Sequence, residues 1–324
     1  MNIHYDCDPG QDDAIALLYA LGAQDINVQS ISIVGGNIDV DQCTRNALQL
    51  LEVTAREDIP VYKGCAQPLV RPLIMLPHVF GPTGMAGAEH LPQPNITAQA
   101  KNAIDFLCDD LAVNTIVATG PLTNLAQAFQ QKPTFASGIE NLIIMGGCVR
   151  PDPVFHLLGN LAVQGLEKGY AEYNFAVDPE AAKIVFQTSI QNIVMIGLDI
   201  TRTVLFNGAL EKRLVEIGTK SSILAAKILA SVGEEDLLEY QDQWAYPNDP
   251  VRAIHDIVAM AYVDRPDMFE SEILPIRIDV EGVPGQSVID KNNSDHASVR
   301  VVTDIDRDKF KDHLCHNLSR IQDR

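Results

Sequence analysis

The chain has 324 residues, of which 46% are hydrophobic and 21% are charged, so it can bury a large core and is not a disordered chain. Its formal net charge of −19 repels nucleic-acid phosphates and anionic lipids, which excludes a nucleic-acid polymer or a membrane as an expected partner. No apolar run reaches the ~18 residues that a membrane span needs. The N-terminal residues lack the basic and apolar regions of a signal peptide, which predicts a cytoplasmic protein.

The predicted elements alternate between strands and helices from the N-terminus onward. Runs with strand character cover 2–5, 28–34, 115–118, 141–145 and 192–198. Helical periodicity covers 12–22, 42–56, 122–131, 179–187, 208–217, 221–232, 250–263 and 307–321, and two or three further strands are predicted within 273–302. This alternation predicts βαβ units, and therefore one α/β domain over 1–324 with a mainly parallel central sheet flanked by helices.

Two segments interrupt this alternation. Residues 68–94 are rich in Pro, Gly and Met without a clear period, which predicts a loop near a functional site, and residues 148–170 are also irregular. The six cysteines form no Cys-x-x-Cys pair and none stands at zinc-ligand spacing from a histidine. In a cytosolic protein we expect them to be reduced and mostly buried.

Four carboxylates stand within eight residues, between the first strand and the first helix: Asp6, Asp8, Asp12 and Asp13. Carboxylates this close repel one another, and a hard cation such as Ca²⁺ or Mg²⁺ relieves that repulsion. Ligands of open α/β sheets bind at the carboxyl ends of strands, where this cluster lies. The alternative is that Asp12 caps the helix while the other three belong to a solvated loop.

Polar residues follow two other predicted strands. Asn37 comes after a Gly-Gly pair, and Thr119 follows the strand at 115–118. Because the ends of parallel strands converge, both residues can meet the aspartate cluster. Each is also a common turn residue, so either can be explained without a ligand.

His255 and Asp256 lie in an apolar run at 253–262 that we predict to be helical. Neighbouring residues on a helix point in different directions, so Asp256 could act as a metal ligand and His255 as an acid. A histidine in such a run is also often a core residue with satisfied hydrogen bonds.

Three further polar residues lie in the segment 172–178. Glu172 and Asn174 share a face if the segment is extended, and the alternative is two exposed polar residues on a sheet edge. Asp178 before Pro179 is typical of a helix N-cap with proline at the first helical position.

Taken in order, these motifs resemble the inosine–uridine-preferring nucleoside hydrolase family. The first motif, DCDPGQDD at residues 6–13, is the most specific. The likeness continues through VGGN at 34–37, ATGPLTN at 118–124, IMGG at 144–147, AEYN at 171–174, DPEAA at 178–182, HD at 255–256 and AMAY at 259–262. The resemblance implies a single α/β domain with a Rossmann-like core, and hydrolysis of the N-glycosidic bond of ribonucleosides in purine or pyrimidine salvage. It also implies a homodimer or homotetramer.

The resemblance also implies a role for each matching residue. Ca²⁺ is expected on Asp8, Asp13, the backbone carbonyl of Thr119, and Asp256, with Asp8 taking a proton from the metal-bound water. The expected ribose contacts are Asp12, Asn174 and Asp256 at the 2′- and 3′-hydroxyls and Glu172 at the 5′-hydroxyl, with Asn37 beside metal and water. His255 is expected to help the leaving base accept a proton.

Some positions differ from the family pattern. Phe80 stands where family members commonly have a histidine, and it either stacks on the base or packs in the core. Asn160 is the nearest candidate for a family asparagine that contacts ribose, in a longer loop. Trp244, Tyr240 or Tyr246 is expected to close over the base.

Two other functions fit parts of the pattern. A haloacid-dehalogenase-like phosphohydrolase also has Asp-x-Asp after its first strand, with Asp6 as nucleophile, although the continuation Pro9-Gly10 does not fit that class. A non-catalytic, Ca²⁺-dependent nucleoside or sugar binder could share the whole fold.

Overall fold

The architecture is seen in a computed structural model, which describes residues 1–153, 156–162, 169–231, 252–291 and 298–321. Its centre is a sheet of nine strands in the order β12-β11-β13-β8-β5-β4-β1-β2-β3. The strands in chain order are β1 Asn2–Cys7, β2 Asn27–Ile33, β3 Val61–Lys63, β4 Thr115–Ala118, β5 Asn141–Met145, β6 Leu161–Ala162, β7 Tyr170–Ala171, β8 Asn192–Ile196, β9 Leu205–Phe206, β10 Arg252–Ala253, β11 Phe269–Ile278, β12 Ser287–Ile289 and β13 Ser298–Ile305.

All neighbouring strands from β13 to β3 pair in parallel, whereas β11 runs antiparallel to both β13 and β12. The predicted α/β fold with a mainly parallel central sheet is therefore confirmed. Two short antiparallel pairs, β6 with β7 and β9 with β10, lie outside the sheet.

Helices cover both faces of the sheet. In chain order they are α1 Gln11–Gly22, α2 Val40–Val53, α3 Pro77–Phe80, α4 Ala103–Asp109, α5 Thr123–Gln131, α6 Tyr173–Val177, α7 Pro179–Gln187, α8 Leu198–Thr201, α9 Gly208–Ile217, α10 Lys220–Ala230, α11 Asp256–Asp264 and α12 Arg307–Leu318. In the part of the chain that the structure describes, no helix is long and apolar enough to cross a bilayer.

Two hydrophobic cores lie on opposite faces of the sheet, because successive strand residues point to opposite sides. Along β4, Val117 belongs to the core beneath α1 and α11, whereas Ile116 and Ala118 belong to the core beneath α5 and α7. All six cysteines are free, and five are buried, as expected from the sequence.

The strand order reverses beside β1. The chain proceeds from β1 to β2 and β3 on one side, and β4, β5 and β8 follow on the other. At such a switch point the connections leave in opposite directions and open a crevice at the carboxyl ends of the strands. The aspartate-rich turn after β1 therefore lies where an α/β sheet binds its ligand.

One predicted helix is wrong at its start. The apolar run suggested a helix over 250–263, but α11 begins at Asp256 and residues 252–253 form β10, paired with β9. Residues 250 and 251 lie outside the described part of the chain. The hydrogen bonds of this strand pair override the helical periodicity, so His255 precedes the helix instead of lying inside it.

The packing of α1 against α12 generates a stability test. A Cβ at Gly22 would lie 2.0 Å from the backbone oxygen of Asn317, a contact that only a shift of α12 can relieve. We expect Gly22→Ala to lower the free energy of unfolding by about 1–3 kcal/mol in urea titrations, even though Ala normally favours a helix. Gly138→Ala is the matched control, because nothing lies within 4 Å of its Cβ. Equal stability of the two variants would contradict this packing.

Candidate active site

A cavity opens at the carboxyl ends of the parallel strands. Most of the residues singled out in the sequence line it: Asp12, Asn37, Phe80, Thr119, Asn160, Glu172, Asn174, His255 and Asp256. Asp8 and Asp13 are each only 1% exposed and contact the residues that line it. The structure thus brings together residues that are distant in the sequence.

Asp8 is held at the end of β1 by the turn after β2. Its Oδ2 accepts a hydrogen bond from the backbone N–H of Asn37 at 2.7 Å, while its buried Oδ1 has no hydrogen-bond partner among the described residues. A Cβ at Gly36 would lie 2.0 Å from Oδ2, and one at Gly120 would lie 2.6 Å from Oδ1. Glycine at both positions therefore leaves the room that the Asp8 carboxylate occupies.

Asp13 is the most hydrogen-bonded of the aspartates. It lies in the first turn of α1, and its carboxylate accepts from the backbone N–H of Gly10 at 3.1 Å, from Asn37 Nδ2 at 3.2 Å and from Thr119 Oγ1 at 2.8 Å. Asn37 Nδ2 also donates to the backbone oxygen of Asp8 at 3.1 Å. Asn37 therefore fixes Asp8 and Asp13 relative to each other.

Three of the carboxylates are close enough to share one cation. Asp12, Asp13 and Asp256 each offer an oxygen, and these oxygens lie within 4.8 Å of one another. Oδ1 of Asp12 and Oδ1 of Asp256 are buried without a hydrogen-bond partner among the described residues. The group includes Asp12, which the resemblance assigned to ribose binding. It does not include Asp8, which the resemblance assigned to the metal.

The charges of this cluster oppose one another. Burial, followed by the neighbouring Asp13 charge, raises the pKa of Asp12 to about 7 and the pKa of Asp8 well above its usual range. Burial and the charge of Asp12 raise the pKa of Asp256 in the same way. Orphaned oxygens on buried, mutually repelling carboxylates fit a hard divalent cation, which takes oxygen ligands.

Glu172 and Asn174 are not exposed on a sheet edge. Glu172 is the N-cap of α6, and it accepts backbone N–H bonds from Asn174 at 2.9 Å and Gly147 at 2.9 Å. Burial nevertheless raises its pKa to about 7. Asn174 Nδ2 donates to the carbonyl oxygen of Thr119 at 2.7 Å, which places this amide beside the expected metal ligand. The segment is helical from Tyr173 onward rather than extended, and Asp178 is the N-cap of α7 as predicted.

His255 lines the cavity because it precedes α11. Its Nδ1 lies 2.7 Å from Thr201 Oγ1. Burial, together with the positive charge of Arg202, lowers the pKa of His255 to about 3, so the ring is neutral at physiological pH. Thr201 thereby fixes the orientation of the imidazole, and the ring can act as a neutral hydrogen-bond partner.

The loop at 68–94 closes one wall of the cavity, as expected. Phe80 contributes to this wall at the end of α3. The hydroxyl of Tyr173 lies within hydrogen-bond distance of the carbonyl oxygens of Gly36 (2.9 Å) and Ile74 (2.5 Å), and so ties the loop to the site. Asn160 lines the cavity and accepts from the backbone N–H of Tyr173 at 2.8 Å. Tyr240, Trp244 and Tyr246 lie outside the described residues.

Two arginines that line the cavity were not identified as site residues from the sequence. Arg202 and Arg252 line the cavity and are only 6% and 4% exposed. Arg202 Nη1 lies 2.8 Å from Asp152 Oδ2, and Arg252 Nη1 lies 3.4 Å from Glu211 Oε2. The sequence signal that could have identified Arg252 is its position at the start of the apolar run that leads into Asp256.

The fold and the site together define an α/β enzyme with an acidic, cation-compatible pocket. The family model of inosine-uridine preferring nucleoside hydrolases matches residues 3–312, and the chain belongs to that family. It is thus a ribonucleoside hydrolase, an N-glycosyl hydrolase, and it is not a phosphohydrolase of the haloacid-dehalogenase class.

Individual relatives cover nearly the whole chain. The pyrimidine-specific ribonucleoside hydrolase RihA of Salmonella schwarzengrund is 34% identical over 97% of this chain and 96% of its own length. A purine-preferring ribonucleoside hydrolase from Gardnerella vaginalis superposes with a TM-score of 0.84 at 25% identity, covering 98% of both chains. The plant nucleoside hydrolase PpNRh1 superposes with a TM-score of 0.83 at 28% identity, also covering 98% of both chains.

The repulsion within the cluster generates a stability test on chelator-treated protein. The folded pKa of Asp12, about 7, exceeds the unfolded value of about 4, so the folded state binds more protons between these two values. The stability contributed by this group is therefore present at low pH and is lost as the pH rises through about 7. We expect Asp12→Asn to raise the free energy of unfolding by about 1–3 kcal/mol at pH 8, and by less at pH 5.

Denaturant titrations at the two pH values measure this effect. Asp25→Asn, which removes an exposed carboxylate far from the cluster, serves as the control and should leave stability unchanged at both. A loss of stability in Asp12→Asn at pH 8 would contradict the repulsion argument.

Proposed function

We propose that the chain hydrolyses ribonucleosides by activating a water with Asp8, in a site that holds one Ca²⁺. The observation that carries this proposal is the set of buried Oδ1 atoms on Asp8, Asp12 and Asp256, which have no hydrogen-bond partner among the described residues and lie at the carboxyl ends of the strands. Buried charges need a partner, and a hard divalent cation is the partner that oxygen-only groups suit. Asp8, Asp13, Asp256 and the Thr119 carbonyl would hold the ion, with Asp12 close to it.

A bound divalent cation would lower the pKa of a water and orient it. Asp8 accepts the proton of the attacking water, because its Oδ1 is not engaged by any described residue. Water adds to the anomeric carbon as the bond to the base nitrogen breaks. The proton taken from the water stays on Asp8, and the remaining hydroxyl forms the new bond to the anomeric carbon. The electron pair of the broken C–N bond leaves with the base, which then takes up a proton.

The ribose hydroxyls are bound by side chains that line the cavity. Asp12, Asn174 and Asp256 take the 2′- and 3′-hydroxyls, and Glu172 takes the 5′-hydroxyl, with Asn160 at the same end. Their carboxylates also favour the positive charge that develops on the sugar as the glycosidic bond breaks. Since hydrogen bonds to the backbone fix Glu172, Asn160 and Asn174, this part of the site is organised before the substrate binds.

His255 and Phe80 face the leaving base in this proposal. Phe80 supplies an apolar surface on which a base can stack. His255 is neutral, so it assists the base as a hydrogen-bond donor rather than as an imidazolium. If Thr201 donates to Nδ1, then Nε2 carries the ring proton and can donate it toward the base.

The cytoplasmic location and the homodimer or homotetramer stay predictions from the sequence.

The experiment that tests the proposed function is a panel of purine and pyrimidine ribonucleosides assayed for free ribose. Both base classes are needed because the similar proteins are named for different ones. We expect ribose release that is lost on chelation and restored by Ca²⁺, with about one calcium bound per chain by metal analysis. Tight nucleoside binding without ribose release would instead indicate a non-catalytic binder.

Substitution of Asp8 tests the general base. We expect Asp8→Asn to reduce kcat by at least ~100-fold, because general bases contribute about 10²–10⁴-fold. Isothermal titration shows whether the variant still binds substrate, which separates a loss of chemistry from a loss of folding. Retention of more than about a tenth of the wild-type rate would show that Asp8 is not the base.

The role of His255 is tested with two leaving groups. We expect His255→Ala to slow inosine or uridine strongly, but to have little effect on p-nitrophenyl riboside, whose leaving group needs no proton. Steady-state kcat/KM is the measurement, and Thr201→Val is the companion variant that loses only the contact to Nδ1. Equal losses on both kinds of substrate would assign His255 to ribose binding or packing.

A further inference from the structure

Arg252 places a buried guanidinium on the wall of the active-site cavity. The residue is 4% exposed, and its Nε and Nη1 atoms are buried without a hydrogen-bond partner among the described residues. Among the described residues, the ion-pair partner of Arg252 is Glu211, whose Oε2 lies 3.4 Å from Nη1. Burying a charged donor without an acceptor is costly, so these N–H groups fit an acceptor on a bound ligand.

The position of Arg252 is fixed by the backbone. β10 pairs with β9 in antiparallel register, with Arg252 opposite Phe206, and Phe206 is itself fully buried. Arg252 precedes His255 by three residues and Asp256 by four, and all three line the same cavity. The strand pair therefore fixes the backbone of Arg252 at the wall of the cavity, close in sequence to His255 and Asp256.

The surrounding charges decide which acceptor is suitable. Glu211 already lies beside Arg252, and Asp152 pairs with Arg202, so the positive charges on this wall are balanced. The cavity also contains the carboxylates of Asp12, Glu172 and Asp256, which repel an anion. Arg252 therefore provides directional N–H donors, but the wall has no surplus of positive charge. For this reason an uncharged oxygen is a better acceptor for these donors than a phosphate.

We propose that Arg252 is a specificity-determining residue that donates hydrogen bonds to an uncharged oxygen of the nucleoside. This inference rests on the proposed function of the site. Two oxygens have this chemistry: a carbonyl of the base and the 5′-oxygen of the ribose. A base carbonyl would gain negative charge as the glycosidic bond breaks, so a guanidinium there would strengthen its contact in the transition state.

Three ribosides distinguish between the two candidate acceptor oxygens. Inosine has both oxygens, purine riboside lacks the base carbonyl, and 5′-deoxyinosine lacks the 5′-oxygen. We expect Arg252→Met to lower kcat/KM for inosine by roughly 10- to 100-fold, the usual loss for one hydrogen bond to a charged group. The variant should have little effect on the one analogue that already lacks the acceptor. The same comparison is made with uridine and 5′-deoxyuridine.

Two more variants control for packing and charge. Arg252→Lys keeps the positive charge but loses the planar fork of donors, so it should retain the fold and still discriminate less between inosine and its analogues. Arg213→Met removes an arginine of α9 that pairs on the surface with Asp312 and should leave every rate unchanged. Unfolding temperatures confirm that all variants are folded.

Some results would overturn the proposal. These are equal losses on all three ribosides, no loss on any of them, or tighter binding of inosine 5′-monophosphate than of inosine by the wild type. Dissociation constants are measured beside the rates. If the wild type releases ribose from no nucleoside, the proposed function fails, and the binding of inosine against its two analogues still tests Arg252 independently.

Discussion

The mutual repulsion of buried carboxylates is the constraint on which this site depends. Asp8, Asp12, Asp13 and Asp256 converge at the carboxyl ends of the strands, where burial raises the pKa of each. Hydrogen bonds alone do not satisfy them, because three of the four keep an oxygen without a partner among the described residues. A hydrophobic core on each face of the sheet supplies the stability that allows this unfavourable cluster to persist. The fold therefore holds these carboxylates in an arrangement that a bound cation would stabilise.

Most strands of the sheet, though not β3, and the convergence of the polar residues on one cavity could be predicted from the sequence, for two separate reasons. The parallel strands are short apolar runs followed by turns, so their positions follow from periodicity, and 115–118 and 141–145 match the structure at both ends. Asp8 and Thr119 stand directly after such runs, and Asn37, Asp12 and Asp13 follow within the next turn or the first turn of the next helix. Because parallel strands end at one edge, their convergence follows from topology alone. The residue roles came from the resemblance to the family and not from the pattern of strands.

The remaining features depend on contacts between distant parts of the chain. The apolar run at 253–262 fits a helix equally well from its first residue, and only pairing with β9, nearly fifty residues earlier, moves the helix start to Asp256. The burial of Arg202 and Arg252 likewise depends on Asp152 and Glu211, which no local pattern connects to them. Glu172 became a helix cap because three backbone N–H groups surround its carboxylate. Such outcomes are decided by tertiary partners, which override local preference.

The distribution of charge within the cavity also has a chemical consequence. Breaking an N-glycosidic bond leaves positive charge on the sugar and negative charge on the departing base. The cavity keeps carboxylates at the strand ends and places two arginines on a separate wall formed by β10 and the end of α8. Each arginine is held by a carboxylate, so its position is fixed before the substrate arrives, and little reorganisation is needed as charge separates. In a chain with a net charge of −19, burying two arginines beside the reaction centre requires such partners, and their positions are therefore part of the active site.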